Sequence, residues 1–236
     1  MELNDKIYLD IGSNHNGSYE RAINIIREAG ELKKTLSEMD NDIIAGVKFQ
    51  VFKHDKLYAK DCGFDDYQEK LKEVETKIDW LVPLSKEARK FGLEFGISVF
   101  DEDTLDEISA LEDFLCHSDV YLKVASSNLL LLDFISEIST LNSVRPVKVP
   151  LHISTGGSTL LEIAEAVRTV TMYGSDVIVY HCTMEYPCSV KNANISRLYS
   201  IAAEMKAVGV ANPFEKIAYS DHTRNKLVAL SALSIV

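Results

Sequence analysis

The sequence predicts an α/β protein of the (β/α)8 TIM-barrel class, apparently lacking the eighth strand. Three observations carry this reading. Apolar runs of strand length recur seven times, each followed by a turn and then a helix-period segment, the alternation of βα units on a parallel sheet. Polar and charged groups collect at the carboxyl ends of those runs, which in a barrel is the catalytic rim. The competing architecture, an open doubly wound sheet, would normally place a glycine-rich phosphate turn after its first strand. Residues 11–17 read IGSNHNG, which is not GxGxxG. A barrel takes about 250 residues, and this chain has 236.

In order, strands are predicted over Lys6 to Ile11, Ala45 to Gln50, Leu93 to Val99, Val120 to Ala125, Val149 to Ser154, Val177 to Cys182 and Ile217 to Ser220. Helical periodicity lies between them, over Tyr19 to Leu36, Lys77 to Phe91, Thr104 to Phe114, Leu131 to Leu141, Thr159 to Tyr173 and Ile195 to Val208, and from Lys226 onward. The clearest helix is Thr159 to Tyr173, with Leu160, Ile163, Ala164, Val167 and Val170 on one stripe. Lys33 to Asp42 and His54 to Tyr67 read as inserted or loop-like; the second follows a strand end and would hang over the active face of a barrel. No low-complexity linker or composition break appears, so residues 1–236 read as one domain.

With 46% hydrophobic and 26% charged residues the composition is that of a soluble globular chain. No apolar run reaches the ~18 residues of a membrane span, and the first residues lack a secretory signal. A cytoplasmic protein is expected. Cys62, Cys116, Cys182 and Cys188 have no CxxC spacing and read as reduced structural thiols. A net charge of −11 disfavours nucleic acid and anionic membranes as partners. A small anionic substrate stays possible where cations are concentrated locally.

Such cations exist. Lys48 and Lys123 stand inside apolar strands, GVKFQ and YLKVAS, where desolvation is costly unless an anion or a carboxylate meets the ammonium. One reading is a structural ion pair with Asp10. The other is a cradle for phosphate and carboxylate, with Ser98, Ser126 and Ser154 adding hydroxyl donors. His181 and His222 end two successive strands; singly each reads as a satisfied core or rim histidine, but together they suit a shared divalent metal that polarises a carbonyl. His15, in Asn-His-Asn-Gly, has the softer case and reads as holding its loop. Asp101 is counted among the polar strand ends.

Six ordered stretches carry a resemblance: DIGSNHNG from Asp10, VKFQ from Val47, KVAS from Lys123, ISTGG from Ile153, HCTMEYP from His181 and YSDHT from Tyr219. In this order and strand context the chain resembles the sialic acid synthase family, which includes N-acetylneuraminic, legionaminic and pseudaminic acid synthases and a spore-coat polysaccharide relative. The resemblance implies a TIM barrel that condenses phosphoenolpyruvate with an open-chain N-acetylated hexosamine aldehyde. The products would be a nine-carbon 2-keto sugar acid and phosphate, with Mn2+ or Mg2+ as cofactor. By position it implies that His181 and His222 are metal ligands. Lys48, Lys123, Ser98, Ser126 and Ser154 then fall where phosphoenolpyruvate is held, and Gln50, Tyr186 and Asp221 near the sugar or in support of the site.

Two positions depart from the family pattern: Asp10 stands where Glu is usual, and Asn128 where an acidic residue is usual. Misplacement of a catalytic group by about 1 Å can cost on the order of 100-fold. The resemblance also implies a homodimer in the full-length protein and a C-terminal antifreeze-like domain that follows the barrel. This 236-residue form is therefore expected to be a fragment, inactive or nearly so. Two other readings stay open: a catalytically degenerate barrel that binds sugar or metal or serves as a scaffold, and an aldolase-type barrel with Lys123 as Schiff base.

Overall fold

The computed structural model describes residues 6–39, 42–58 and 63–235. Cys62, residues 40–41 of the first loop-like segment and residues 59–62 of the second lie outside the described residues. The chain divides into two compact units: the first ends at Leu122 and takes in Arg145–Val147, and the second holds the rest.

The first unit runs β1 (Ile7–Gly12), α1 (Tyr19–Ser37), β2 (Ile44–Val51), α2 (Asp65–Leu71), α3 (Ile78–Lys90), β3 (Glu94–Val99), α4 (Glu102–Ser109), α5 (Glu112–Leu115) and the start of β4 (Val120–Val124). β1 pairs with β2 and β2 with β3, all parallel, with Asp10 opposite Lys48 and Gln50 opposite Ser98. The strands form here because β-branched and aromatic residues that are buried on a pleated surface dominate them. Val47, Phe49, Phe95 and Ile97 are fully buried, and the Phe49 and Phe95 rings stack at 5.3 Å. Each such side chain contributes roughly 1.5–3 kcal/mol by leaving water.

The second unit holds the end of β4, α6 (Leu132–Val144), β5 (Leu151–Ser154), α7 (Leu160–Met172), β6 (Val177–His181), α8 (Arg197–Ala207), β7 (Ile217–Tyr219) and α9 (Lys226–Leu233). Strands β4 to β7 pair in parallel in that order; Lys123 lies opposite His152 and Ser154 opposite Tyr180. Helix α7 starts from a capping box in which Thr159 and Glu162 satisfy each other's backbone N–H groups. It buries Ile163, Ala164, Val167 and Val170, the predicted stripe, while Leu160 is half-buried.

The expected parallel α/β repeat is present, and the seven strands lie within two residues of their predicted limits. Two helical expectations need correction. The Thr104 to Phe114 helix is two helices, because Leu111 leaves helical geometry (ψ 69°) and the chain re-aims Phe114 edge-on against Phe95 at 5.9 Å. The segment from His54 to Tyr67 is not all loop: a 3-10 turn forms at His54–Lys56, and α2 begins at Asp65. No helix among the described residues is long and apolar enough to cross a membrane.

Candidate functional site

In the first unit the β1–β2 and β2–β3 registers bring Asp10, Lys48 and Ser98 together. The Lys48 ammonium lies 3.0 Å from Asp10 Oδ1 and donates to Ser98 Oγ at 3.2 Å. Lys48 is buried, whereas the Asp10 side chain keeps 49% of its exposure. The ion pair named as one reading of Lys48 therefore exists, and Ser98 adds a hydroxyl to the same ammonium. Gln50, one alternation further along β2, is half-buried opposite Ser98.

Two other polar groups of this unit have structural roles. His15 is fully buried. Its Nδ1 accepts from the Gly17 N–H at 3.1 Å, so Nε2–H donates to Thr76 Oγ1 at 3.0 Å. Burial holds its pKa below the usual imidazole value. Gly17 allows this turn, since it has φ +70° and a Cβ there would collide with the Glu73 carbonyl. Asp101 is a helix cap: it accepts from the Thr104 N–H at 2.7 Å and opens α4.

In the second unit Lys123 is buried at 6% exposure. Its ammonium donates to Ser154 Oγ at 2.5 Å and lies 4.9 Å from the centre of the Tyr180 ring. Ser126 Oγ accepts from the Gly156 N–H at 2.9 Å and lies 3.1 Å from Cys182 Sγ. Gly156 has to be glycine for this approach, because a Cβ would come within 2.8–3.0 Å of Met184, Cys182 and Ser126. Asn128 is buried and its Oδ1 accepts from the Ser127 hydroxyl at 2.8 Å.

The same unit carries both histidines. The His181 Nε2–H donates to the Ala193 carbonyl at 3.0 Å, which fixes the tautomer and leaves the lone pair on Nδ1. That Nδ1 is buried and has no hydrogen-bond partner among the described residues. Burial, opposed in part by the Ala193 carbonyl, holds the His181 pKa below its ordinary value, so the ring is neutral. The His222 Nδ1–H donates to the Thr183 carbonyl at 2.5 Å, so its lone pair is on Nε2, where the Tyr186 hydroxyl lies at 3.1 Å. The Tyr186 and His222 rings lie 4.1 Å apart. Asp221 Oδ1 accepts from the Thr223 N–H at 2.9 Å and stays exposed. Burial and the nearby Asp221 push the Tyr219 phenol well above its ordinary pKa, keeping it protonated.

This donor set fits a divalent ion in part. A carbonyl on one nitrogen of each imidazole is the usual way a metal-binding histidine is oriented, and an orphaned buried lone pair is what a metal would satisfy. Among the described residues no group of three or more His, Cys, Asp and Glu is arranged to hold a metal, so further coordination would come from water and substrate oxygens.

His152 and Tyr180 were not anticipated from sequence. Both are buried, and the Tyr180 hydroxyl meets His152 Nδ1 at 3.0 Å. The signal was available. His152 is a titratable residue inside an apolar strand, two positions before Ser154 and so on the same face.

The comparisons with known proteins agree with one another. The chain is 29% identical to an N,N'-diacetyllegionaminic acid synthase of Legionella pneumophila, over 97% of its own length and 60% of the relative's. It is 26% identical to the spore coat polysaccharide biosynthesis protein SpsE of Bacillus subtilis, covering 93% and 53%. The crystal structure of that SpsE superimposes with a TM-score of 0.70 at 25% identity, over 94% of this chain and 54% of that one. The chain thus spans a little more than half the length of these relatives. The sequence model of the NeuB family matches residues 38–235, and the chain belongs to this family, that of the sialic acid synthases.

Proposed function

We propose that the protein condenses phosphoenolpyruvate with the aldehyde of an N-acetylated hexosamine, giving a nine-carbon 2-keto sugar acid and phosphate. The seven strands are then seven repeats of a (β/α)8 barrel. The observation that carries the reading is Lys123, a buried ammonium held by a hydroxyl and an aromatic face. Such a group suits the phosphate or carboxylate of a small anion. The relatives named above support the choice of reaction.

In this reading Lys123 and Ser154 donate to the phosphate or carboxylate of phosphoenolpyruvate, and Ser126, whose Oγ accepts from the Gly156 N–H, adds a further hydroxyl. Lys48 and Ser98 offer the same donor chemistry in the first unit. Asp10, half exposed, offers a carboxylate that can take a proton from water. The enol carbon bonds to the aldehyde carbon as the C=O π bond breaks and its oxygen takes up a proton. Water, losing one proton, adds at the neighbouring cation-like carbon. The tetrahedral intermediate then breaks its C–O bond to phosphate as its hydroxyl gives up its proton to the departing phosphate and becomes the keto oxygen. Gln50, Asn128, Tyr186 and Asp221 contribute hydrogen-bonding groups for the sugar. His181 Nδ1 and His222 Nε2 would hold a Mn2+ or Mg2+ ion, which when bound supplies Lewis-acid polarisation of the aldehyde. The enzyme acts in the cytoplasm, and as a homodimer in its full length.

The direct test measures phosphate released from phosphoenolpyruvate by the full-length protein with Mn2+ present, across a panel of N-acetylated hexosamines. Release that depends on both sugar and metal is expected; no release with any sugar refutes the reaction. Binding of phosphoenolpyruvate without turnover would instead mark a degenerate binding barrel. Mn2+ binding is followed separately by electron paramagnetic resonance, where His181→Ala should abolish the bound signal.

A further inference from the structure

The strand registers of the second unit place four buried side chains as neighbours: Lys123 on β4, His152 and Ser154 on β5, and Tyr180 on β6. Lysine carries a long, freely rotating stem, so a buried ammonium is placed only if its surroundings hold it. Here Ser154 Oγ takes one side at 2.5 Å and the Tyr180 ring another at 4.9 Å, within the range of a cation–π contact. The Tyr180 ring is itself tethered, since its hydroxyl meets His152 Nδ1 at 3.0 Å and the two rings lie 5.5 Å apart, tilted by 30°. An apolar residue at position 152 would fill the strand interior without any polar group to satisfy. A histidine there is costly unless its hydrogen bond does something.

We propose that His152 and Tyr180 are positioning residues for Lys123: the Tyr180 ring face steadies the ammonium against Ser154, and His152 holds that ring in place. This rests on the reading of Lys123 as a ligand of phosphoenolpyruvate. It adds two residues that touch no substrate and act through the cation that does. The Thr155 hydroxyl, which donates to the Tyr180 carbonyl at 3.0 Å, anchors the backbone of the same residue.

Phosphoenolpyruvate is titrated calorimetrically into the wild-type protein, Y180L, Y180F, H152L, K123M and the double variant K123M/Y180L, with thermal melts to check folding. Y180L should weaken binding about 5- to 30-fold, the span of a cation–π contact from an exposed to a desolvated setting. Y180F and H152L should each weaken it by about 3-fold, the effect of losing one neutral hydrogen bond. In the K123M background Y180L should have no further effect, which a merely structural role would not produce. Equal losses with and without Lys123, or wild-type affinity in Y180L, overturn the proposal. If Y180L fails to fold, Y180F and H152L carry the test.

A second measurement does not depend on phosphoenolpyruvate. With lysine labelled at Cε, the Lys123 methylene protons should show an upfield ring-current shift that Y180L abolishes and H152L reduces. If the wild type does not bind phosphoenolpyruvate, the assigned reaction fails. The positioning role then stands on a shift reduced in H152L and falls on one unchanged in H152L.

Discussion

Replacing Lys123 by Met separates a functional lysine from a structural one. Lys123 keeps 6% of its exposure, so its charge is held in a dry interior at a desolvation cost of several kcal/mol. Methionine has a similar length and no charge. The change removes the bond to Ser154 and the contact with Tyr180, a loss of about 2–3 kcal/mol, but it also removes the desolvation cost. These offset, and the net stability change should lie within about 1 kcal/mol, possible stabilisation included. Binding should respond differently. A charge-assisted hydrogen bond contributes about 1.5–3 kcal/mol, so affinity for phosphoenolpyruvate should fall about 10- to 150-fold. Urea unfolding and calorimetry on the same preparation read both quantities. A variant destabilised by 3 kcal/mol or more, the typical cost of breaking a buried pair, with unchanged affinity would refute the argument and make Lys123 a structural cation.

Four further outcomes follow from contacts already described. His15→Ala strands the Gly17 N–H and the Thr76 hydroxyl and should cost about 2–5 kcal/mol in urea unfolding. Because burial lowers the His15 pKa, the unfolded chain binds more protons than the folded one. Its contribution is therefore complete above pH about 6.5 and is lost as pH falls through that value toward the lower folded pKa; the variant should show a shallower acid slope. Arg145→Met withdraws a buried guanidinium from the carbonyls of Leu115, His117 and Val120, at 2.9, 2.9 and 2.7 Å. It should destabilise by about 1–3 kcal/mol, the cost of buried carbonyls left unsatisfied, and speed amide exchange at residues 115–120. Asp10→Asn leaves the Lys48 ammonium without its carboxylate; as Asp10 is half exposed, about 1–2 kcal/mol is expected in thermal melts. Gly156→Ala drives a methyl against Ser126, Cys182 and Met184 and should cost about 1–3 kcal/mol, with an altered Ser126 contact visible crystallographically.

The strands were legible because each is a short run of buried apolar residues bounded by turn chemistry, and burial in a parallel sheet leaves that imprint. The limits of α7 were legible because Thr159 and Glu162 write a capping box into the sequence. What escaped was non-local. Asp101 looks the same in sequence whether it faces a substrate or caps α4, and only the 2.7 Å bond from Thr104 decides. The break before α5 depends on where Phe95 stands, on another element. Tyr180 could be paired with Lys123 only once the β5–β6 register had set it opposite Ser154. Among the candidate site residues, strand position located Lys48, Ser98, Lys123 and Ser154, whereas the tautomers of His181 and His222 rest on carbonyls of Ala193 and Thr183 that no pattern announces.

The two lysines buried in apolar strands also turn the protein into a gauge of its own ligands. Any acid that binds the folded chain alone stabilises it by mass action, so an acid that docks at either lysine, as proposed, would lift the melting temperature. An anion at 100 times its dissociation constant adds about 2.7 kcal/mol. Screening phosphorylated and carboxylated metabolites by melting temperature would thus rank the acids this chain accepts before any product has been identified, and Lys123→Met would supply the blank.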